Sequence, residues 1–296
     1  MSTESKYKES YELTKKYGTS YFYSALLLNK KSRQHIYALY SLCRHADDMV
    51  DVINGEPGMS ETALADLEKF HVDIKTAIEN GIDSNNLVGA VSQTWNELEL
   101  PIEYLERFFQ SMEMDCSVSS YDTFDDLLVY MDGSAAVIGE MVLPILQPDK
   151  SLHIKYIENA RALGNAFQLT NFLRDIGEDL QRGRIYVPLK DFAEFGIDPN
   201  NIVYDEAFVR LMKFEENRNR ELYSQAYPGV VALNGRNGAC ARTAYRLYGG
   251  ILDEIRRNGY NTLAMRARLS GSKKIRTCFR EFLRFNSQSM SRDRFF

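Results

Sequence analysis

The chain has 296 residues and a mass of 34.0 kDa, enough for one large domain or two modest ones. With 44% apolar and 26% charged residues it is neither a disordered chain nor a membrane bundle, and its seven prolines leave room for long helices. The net charge of −5 is uneven: residues 251–296 hold 11 Lys or Arg against 4 Asp or Glu, which predicts a surface for phosphates or an anionic membrane face.

In chain order, apolar residues recur at three- and four-residue steps through residues 32–51, at Ile36, Leu39, Tyr40, Leu42, Cys43, Ala46, Met49 and Val50. That spacing predicts a helix, with Ser32 as its N-cap. The cluster Asn54-Gly55-Glu56-Pro57-Gly58 is a turn that stops it. Residues 60–80 read as an amphipathic helix stopped by Gly81, and residues 86–98 and 102–114 continue alike, with Pro101 harmless at the start of the latter. Residues 123–146 are apolar, and the small residues Gly133-Ser134-Ala135-Ala136 predict close approach of another element. The strongest helical pattern runs over residues 152–179 to a C-terminal Gly183. Residues 187–201 read as a connector, and helices follow at 205–225, 236–258 and 272–287. Strand alternation, repeats and dividing linkers are missing, so residues 1–296 read as a single all-α domain.

Cys43, Cys116, Cys240 and Cys278 are 73, 124 and 38 residues apart, and the four histidines form no HExxH pattern. Reduced thiols are expected, and a zinc site is not. The first ten residues lack an apolar core, and the most apolar stretch, residues 135–146, is broken by Glu140 and Pro144. A cytoplasmic location is the expectation, with peripheral contact at the inner face of the membrane through the basic C-terminal segment, residues 270–296.

Two acidic clusters carry the chemistry. Asp47 and Asp51, with Asp48 between them, stand one turn apart at the end of the 32–51 helix, about 6 Å along its axis. Their mutual repulsion and the negative end of the helix dipole both disfavour this placement, and a bound cation would relieve both. In the second cluster Gln168, Asn171, Asp175 and Asp179 step by three and four, a polar stripe about 16 Å long on a helix otherwise rich in Leu and Phe. Such a stripe must face polar partners or a wet cavity. Oxygen ligands without His or Cys suit magnesium, which prefers to share its shell with substrate phosphates. Arg44 and Arg174 lie beside the acids, and arginine suits bidentate phosphate contact. With no P-loop and no GxGxxG, a nucleotide substrate is disfavoured, and no nucleic-acid partner is expected.

At these residues the chain resembles the squalene and phytoene synthase family. Cys43-Arg44-His45-Ala46-Asp47-Asp48-Met49-Val50-Asp51 is similar to its first aspartate-rich motif. Gln168-Leu169-Thr170-Asn171-Phe172-Leu173-Arg174-Asp175-Ile176-Gly177-Glu178-Asp179, continued by Arg182-Gly183-Arg184-Ile185-Tyr186-Val187-Pro188, is similar to its second. The resemblance implies an isoprenoid synthase fold, one helical domain around a central cavity. It implies head-to-head joining of two prenyl diphosphates through a cyclopropyl diphosphate, dependent on Mg²⁺ or, in its place, Mn²⁺. Asp47, Asp51, Asn171, Asp175 and Asp179 would be metal ligands or lie beside them, and Asp47, Asp51, Asp175 and Asp179 the catalytic acids. Ser20, Tyr40, Arg44, Gln168, Arg174 and Tyr248 match positions near the diphosphates, and Phe22 and Tyr248 are the aromatics expected to face carbocations.

The N-terminal flap, residues 1–20, departs from the family's Ser-x-Ser, reading Gly18-Thr19-Ser20. The segment Tyr130-Met131-Asp132-Gly133-Ser134-Ala135-Ala136 is most similar to bacterial phytoene synthases, and no nucleotide motif points to NADPH. The reading implied is a monomeric synthase of 15-cis-phytoene from geranylgeranyl diphosphate, in carotenoid biosynthesis. Dehydrosqualene or squalene synthesis from farnesyl diphosphate is the alternative. Non-catalytic assembly factors of the same fold tend to lose the acidic residues, and both motifs are intact in this chain.

Overall fold

The computed structural model describes residues 6–51, 59–81 and 86–292. Within the segment read as an N-terminal flap, α1 (Lys8–Tyr17) and α2 (Thr19–Ala25) are helices joined at Gly18. α1 is pinned to the next helix by the 2.8 Å bond between Ser10 Oγ and Ser41 Oγ. A Cβ at Gly18 would stand 2.6 Å from the Tyr40 ring. The Tyr40 ring thus lies directly against the position where the family has its first serine.

The helix predicted over 32–51 is α3 (Lys30–Val50), and its cap is Asn29 rather than Ser32. The Asn29 side chain accepts the Ser32 N–H at 2.9 Å, so the serine supplies the backbone donor and not the cap. The turn cluster 54–58 lies outside the described residues. α4 (Met59–Asn80), α5 (Leu87–Leu98) and α6 (Ile102–Met114) follow as expected, with the Asn86 side chain accepting the Gly89 N–H to open α5.

The apolar stretch after Thr123 is broken into α7 (Phe124–Met131), a π-helical turn (Asp132–Ala136) and α8 (Val137–Leu146). The turn lies where small residues let backbones touch: a Cβ at Gly164 would stand 2.2 Å from the Ala135 carbonyl oxygen, and one at Gly139 2.1 Å from that of Ala160. Phe124–Leu146 is the one stretch among the described residues long and apolar enough to cross a membrane. More than half of its most apolar portion is buried inside the protein, and Glu140 inside it is held by Arg107 and Arg161.

The helix against which it packs is α9 (His153–Gln181), ended by Gly183 at a φ of 71°. The connector 187–201 contains a short helix that periodicity missed, α10 (Leu189–Glu194). α11 (Glu206–Ala232) runs seven residues past the predicted end at Gln225, through Pro228. One turn before the proline the Gln225 carbonyl accepts from Asn159 Nδ2 of α9 at 2.7 Å, which ties the two helices together there. α12 (Gly235–Arg257) and α13 (Gly271–Arg292) complete the chain.

Two apolar clusters build the interior. One joins α3, α5, α6 and α8 around Leu42, Trp95, Phe108 and Met141. The other joins α7, α9, α10, α11 and α12 around Leu127, Phe172, Phe192, Phe208 and Leu252. No strand occurs among the described residues, only an isolated bridge between Ser120 and Ile185.

Candidate active site

Between the two clusters lies a cavity of about 920 Å³, toward the upper end of the usual range of roughly 300–1,000 Å³ for small-molecule sites. All eleven residues assigned to metal or diphosphate line it: Asp47, Asp51, Asn171, Asp175 and Asp179, together with Ser20, Tyr40, Arg44, Gln168, Arg174 and Tyr248. The two motif helices traverse it in the same chemical order. Along α9 the lining changes from Tyr156, Ala160 and Leu163 to Gln168, Asn171, Asp175 and Asp179, over about 35 Å at 1.5 Å per residue. Along α3 it changes from Ile36 and Leu39 to Arg44, Asp47 and Asp51. One end of the cavity is therefore acidic and the remainder apolar.

At the acidic end the carboxylates fall into two kinds. Asp51 is held by Arg182 Nη1 at 2.9 Å and by Arg184 Nη1 at 3.0 Å. Asp175 is held by the Arg174 guanidinium at 2.8 and 2.5 Å and by Arg266, whose Nη2 lies 3.0 Å away and which also pairs with Glu178. Asp47 and Asp179 have no ion pair among the described residues. Burial, and then the Asp51 carboxylate, push Asp47 up to about 7. Burial and the Asp175 carboxylate push Asp179 up to about 7 against the pull of Arg182 and Arg184.

Beside the acids is a cationic corner that begins at Arg174, the partner of Asp175. Lys274 donates to Thr19 Oγ1 at 2.5 Å, and burial, with Arg174 and Arg268 nearby, pulls its amine below the usual lysine range. Arg268 and Lys274 both line the cavity. Uncompensated carboxylates beside crowded cations form the electrostatic complement of a metal–diphosphate pair. Among the described residues no three His, Cys, Asp or Glu side chains converge into a ready metal cage. The donors are oxygens only, split between two helices, which suits Mg²⁺ completed by substrate oxygens. Asp47 and Asp179, unpaired and raised, are the groups a cation would relieve.

The aromatic expectation needs one correction. Phe22 turns away from the cavity and stacks on Tyr37, with ring centres 6.0 Å apart. Its neighbour Tyr21 takes the inward position, 5.2 Å from the Tyr248 ring and 5.7 Å from that of Tyr40. A shift of one residue turns a helical side chain by about 100°, and α2 is too short for periodicity to fix its register. Tyr248 stacks on Phe167 at 4.2 Å, so it is both a core residue and a wall residue.

Sequence reasoning missed Asp115, Arg266, Arg268 and Lys274. Asp115 lines the cavity and accepts from Tyr130 Oη at 2.7 Å and Tyr186 Oη at 3.0 Å. Burial raises it to about 6, although Arg184 opposes the shift. These residues lie outside both motifs, on α6's end, the α12–α13 connection and α13, with no spacing to link them. Arg182 and Arg184, in the continuation of the second motif, were given no role by the sequence reasoning, although they hold Asp51.

The sequence model of the squalene/phytoene synthase family matches residues 14–273. The chain belongs to the squalene/phytoene synthase family. It is an enzyme chain of a prenyl-transferring family, and its relatives include the phytoene synthase of Arthrospira platensis, 35% identical over 292 residues and 93% of each chain. The 15-cis-phytoene synthase of Synechocystis sp. is 33% identical over 288 residues, 93% of this chain and 83% of that one. Among solved structures, a dehydrosqualene synthase crystallised with a ligand superimposes with a TM-score of 0.83 over 96% of this chain and 98% of the other, at 23% identity. A squalene synthase from Alicyclobacillus acidocaldarius gives 0.75 over 88% and 97%, at 25% identity. The isoprenoid synthase fold implied by the two motifs is thus the fold observed.

Proposed function

We propose that this squalene/phytoene synthase family member joins two geranylgeranyl diphosphates head to head, through a cyclopropyl diphosphate, to give 15-cis-phytoene. One observation carries the reading: the residues of both motifs line a single cavity that is acidic and cationic at one end and apolar along the rest. A prenyl diphosphate has the same polarity, a charged head on a long apolar tail.

Arg174, Arg268 and Lys274 receive the diphosphate oxygens, which offset a crowding of positive charge present before binding. Asp47, Asp51, Asn171, Asp175 and Asp179 would hold Mg²⁺, or Mn²⁺ in its place, which when bound supplies neutralising charge at the departing diphosphate. Ser20, Arg44 and Gln168 orient the head group at the rim. The faces of Tyr21, Tyr40, Phe167 and Tyr248 stabilise the allylic cation, and the apolar walls keep water from capturing it. No imidazole lines the cavity, so the released diphosphate, held by arginine, takes the final proton. The product is then a polyene with a central double bond, formed without NADPH.

The test is incubation with farnesyl or geranylgeranyl diphosphate, with and without Mg²⁺ and NADPH, followed by mass spectrometry. Phytoene from geranylgeranyl diphosphate, at the same rate with or without NADPH and abolished by chelator, is expected. Product from farnesyl diphosphate alone would move the assignment to dehydrosqualene synthesis. A product two mass units heavier, made only with NADPH, would move it to squalene synthesis. No product from either substrate would favour a non-catalytic assembly role.

A further inference from the structure

The last helix, α13, keeps an apolar stripe turned outward, where an ordinary surface helix turns its stripe to the core. Its inward face mixes Cys278 and Phe285, packed against the cluster of Leu27, Leu28, Ala239 and Cys240, with paired polar groups. Glu281 is fully buried, takes the Arg242 Nε–H at 2.9 Å and pairs with Arg246, tying α13 to α12. On the same face Cys278 Sγ donates to the Tyr23 carbonyl at 3.4 Å, and Lys274 donates to Thr19, tying α13 to α2. The outward face carries Ile275, Phe279, Phe282 and Leu283, exposed by 55, 59, 38 and 51%. These positions, i, i+4, i+7 and i+8, form one stripe about 100° wide. Beside it stand the exposed Arg276, Arg280 and Arg284, and neither Arg276 nor Arg280 has an ion pair among the described residues.

We propose that this face of α13 docks on an anionic lipid bilayer, with the four apolar side chains among the acyl chains and the arginines against the headgroups. Scattered exposed hydrophobics are ordinary, but a continuous stripe held outward by a buried, doubly paired glutamate is not. An apolar sector flanked by a basic one is the pattern of helices that lie in the membrane interface. The charge is complementary to anionic lipid, whereas an apolar protein partner would not need three arginines along one edge. The position in the fold agrees. Arg268, Leu269 and Lys274, just before and at the start of α13, line the cavity, so docking of the outward face leaves one helix between the cavity and the lipid surface. This inference does not depend on which prenyl diphosphate the enzyme uses.

The full chain should co-sediment with phosphatidylcholine vesicles containing phosphatidylglycerol, less so as salt is raised, and weakly with phosphatidylcholine alone. Phe279→Ser with Phe282→Ser should lower partitioning by on the order of tenfold or more. Arg276→Gln and Arg280→Gln should each lower it about fivefold, equivalent to about 1 kcal/mol per basic residue. Thermal melting of each variant controls for folding. Phe279→Trp provides a second readout, because the single native Trp95 is 1% exposed and insensitive to vesicles. Its added emission should shift to the blue with anionic vesicles. Failure of the wild-type chain to bind them, equal binding by the serine variant, or no shift from the Phe279→Trp reporter would overturn the proposal. So would a lipid-free dimer that Phe279→Ser dissociates, which would make the stripe an interface between copies.

Discussion

Two clusters of acids and arginines lie in this protein, and they differ in how their charges are balanced. Arg107 and Arg161 both bond to Asp132 and to Glu140, two cations against two carboxylates in a closed network beside the π turn. Neither carboxylate lines the cavity. Burial would raise Asp132, but hydrogen bonds from Arg107 and Arg161 outweigh it and hold the group below the usual aspartate range. At the acidic end of the cavity the arginines satisfy Asp51 and Asp175 and leave Asp47 and Asp179 raised to about 7. Balanced charge locks helices together. Carboxylates left uncompensated in a cavity carry an energetic cost that a ligand relieves, which is why they mark a functional site.

The contrast is sharpest in Asp47→Asn. Removing an unpaired, raised carboxylate should lower kcat/KM by on the order of 10³-fold while metal-free stability stays the same or rises. Steady-state assays with a denaturant melt check both, and a large stability loss would break the distinction. Glu140→Gln should do the reverse. Breaking a network at a side chain 4% exposed should cost about 3–5 kcal/mol in unfolding free energy, while the folded fraction keeps most of its turnover.

The two clusters should also respond oppositely to pH. Folded Asp47 and Asp179 hold protons up to about pH 7, whereas unfolded they ionise near 3.8. The folded state binds more protons between these values, so in chelator this cluster lowers stability as pH rises from about 4 to about 7. Asp132 contributes stability above its unfolded pKa and loses it as pH falls through its lowered folded value. Thermal melts from about pH 7 to below about pH 4 should show Mg²⁺ flattening the first slope and leaving the second, at the acid end, unchanged. The smallest effect belongs to the aromatic wall. Tyr21→Leu should lower kcat roughly tenfold, a cation–π loss of about 1–2 kcal/mol, and Phe22→Leu should leave kcat unchanged, which single-turnover rates would separate.

Much of this site was legible because it is helical and local. A polar residue every three or four positions on a helix of Leu and Phe has few physical explanations, and Gln168, Asn171, Asp175 and Asp179 do share one cavity wall. The pairing of the two motifs followed from their chemistry, since each acid pair is unfavourable alone. Asp115, Arg266 and Lys274 were not legible, because their meaning comes only from residues far along the chain.

The amino-acid sequence by itself determined the all-α class, most helix boundaries, the two acidic motifs and the family. Periodicity, caps and like-charge spacing are properties of neighbouring residues, and they survive without a fold. Only the tertiary structure decided that Tyr21 and not Phe22 faces the cavity, that the Tyr40 ring abuts Gly18, and that α11 continues through Pro228. It also decided that Asp132 and Glu140 are closed off while Asp47 and Asp179 are left uncompensated. Each of these is a contact between segments distant in sequence, where the outcome depends on what packing brings within a few ångströms.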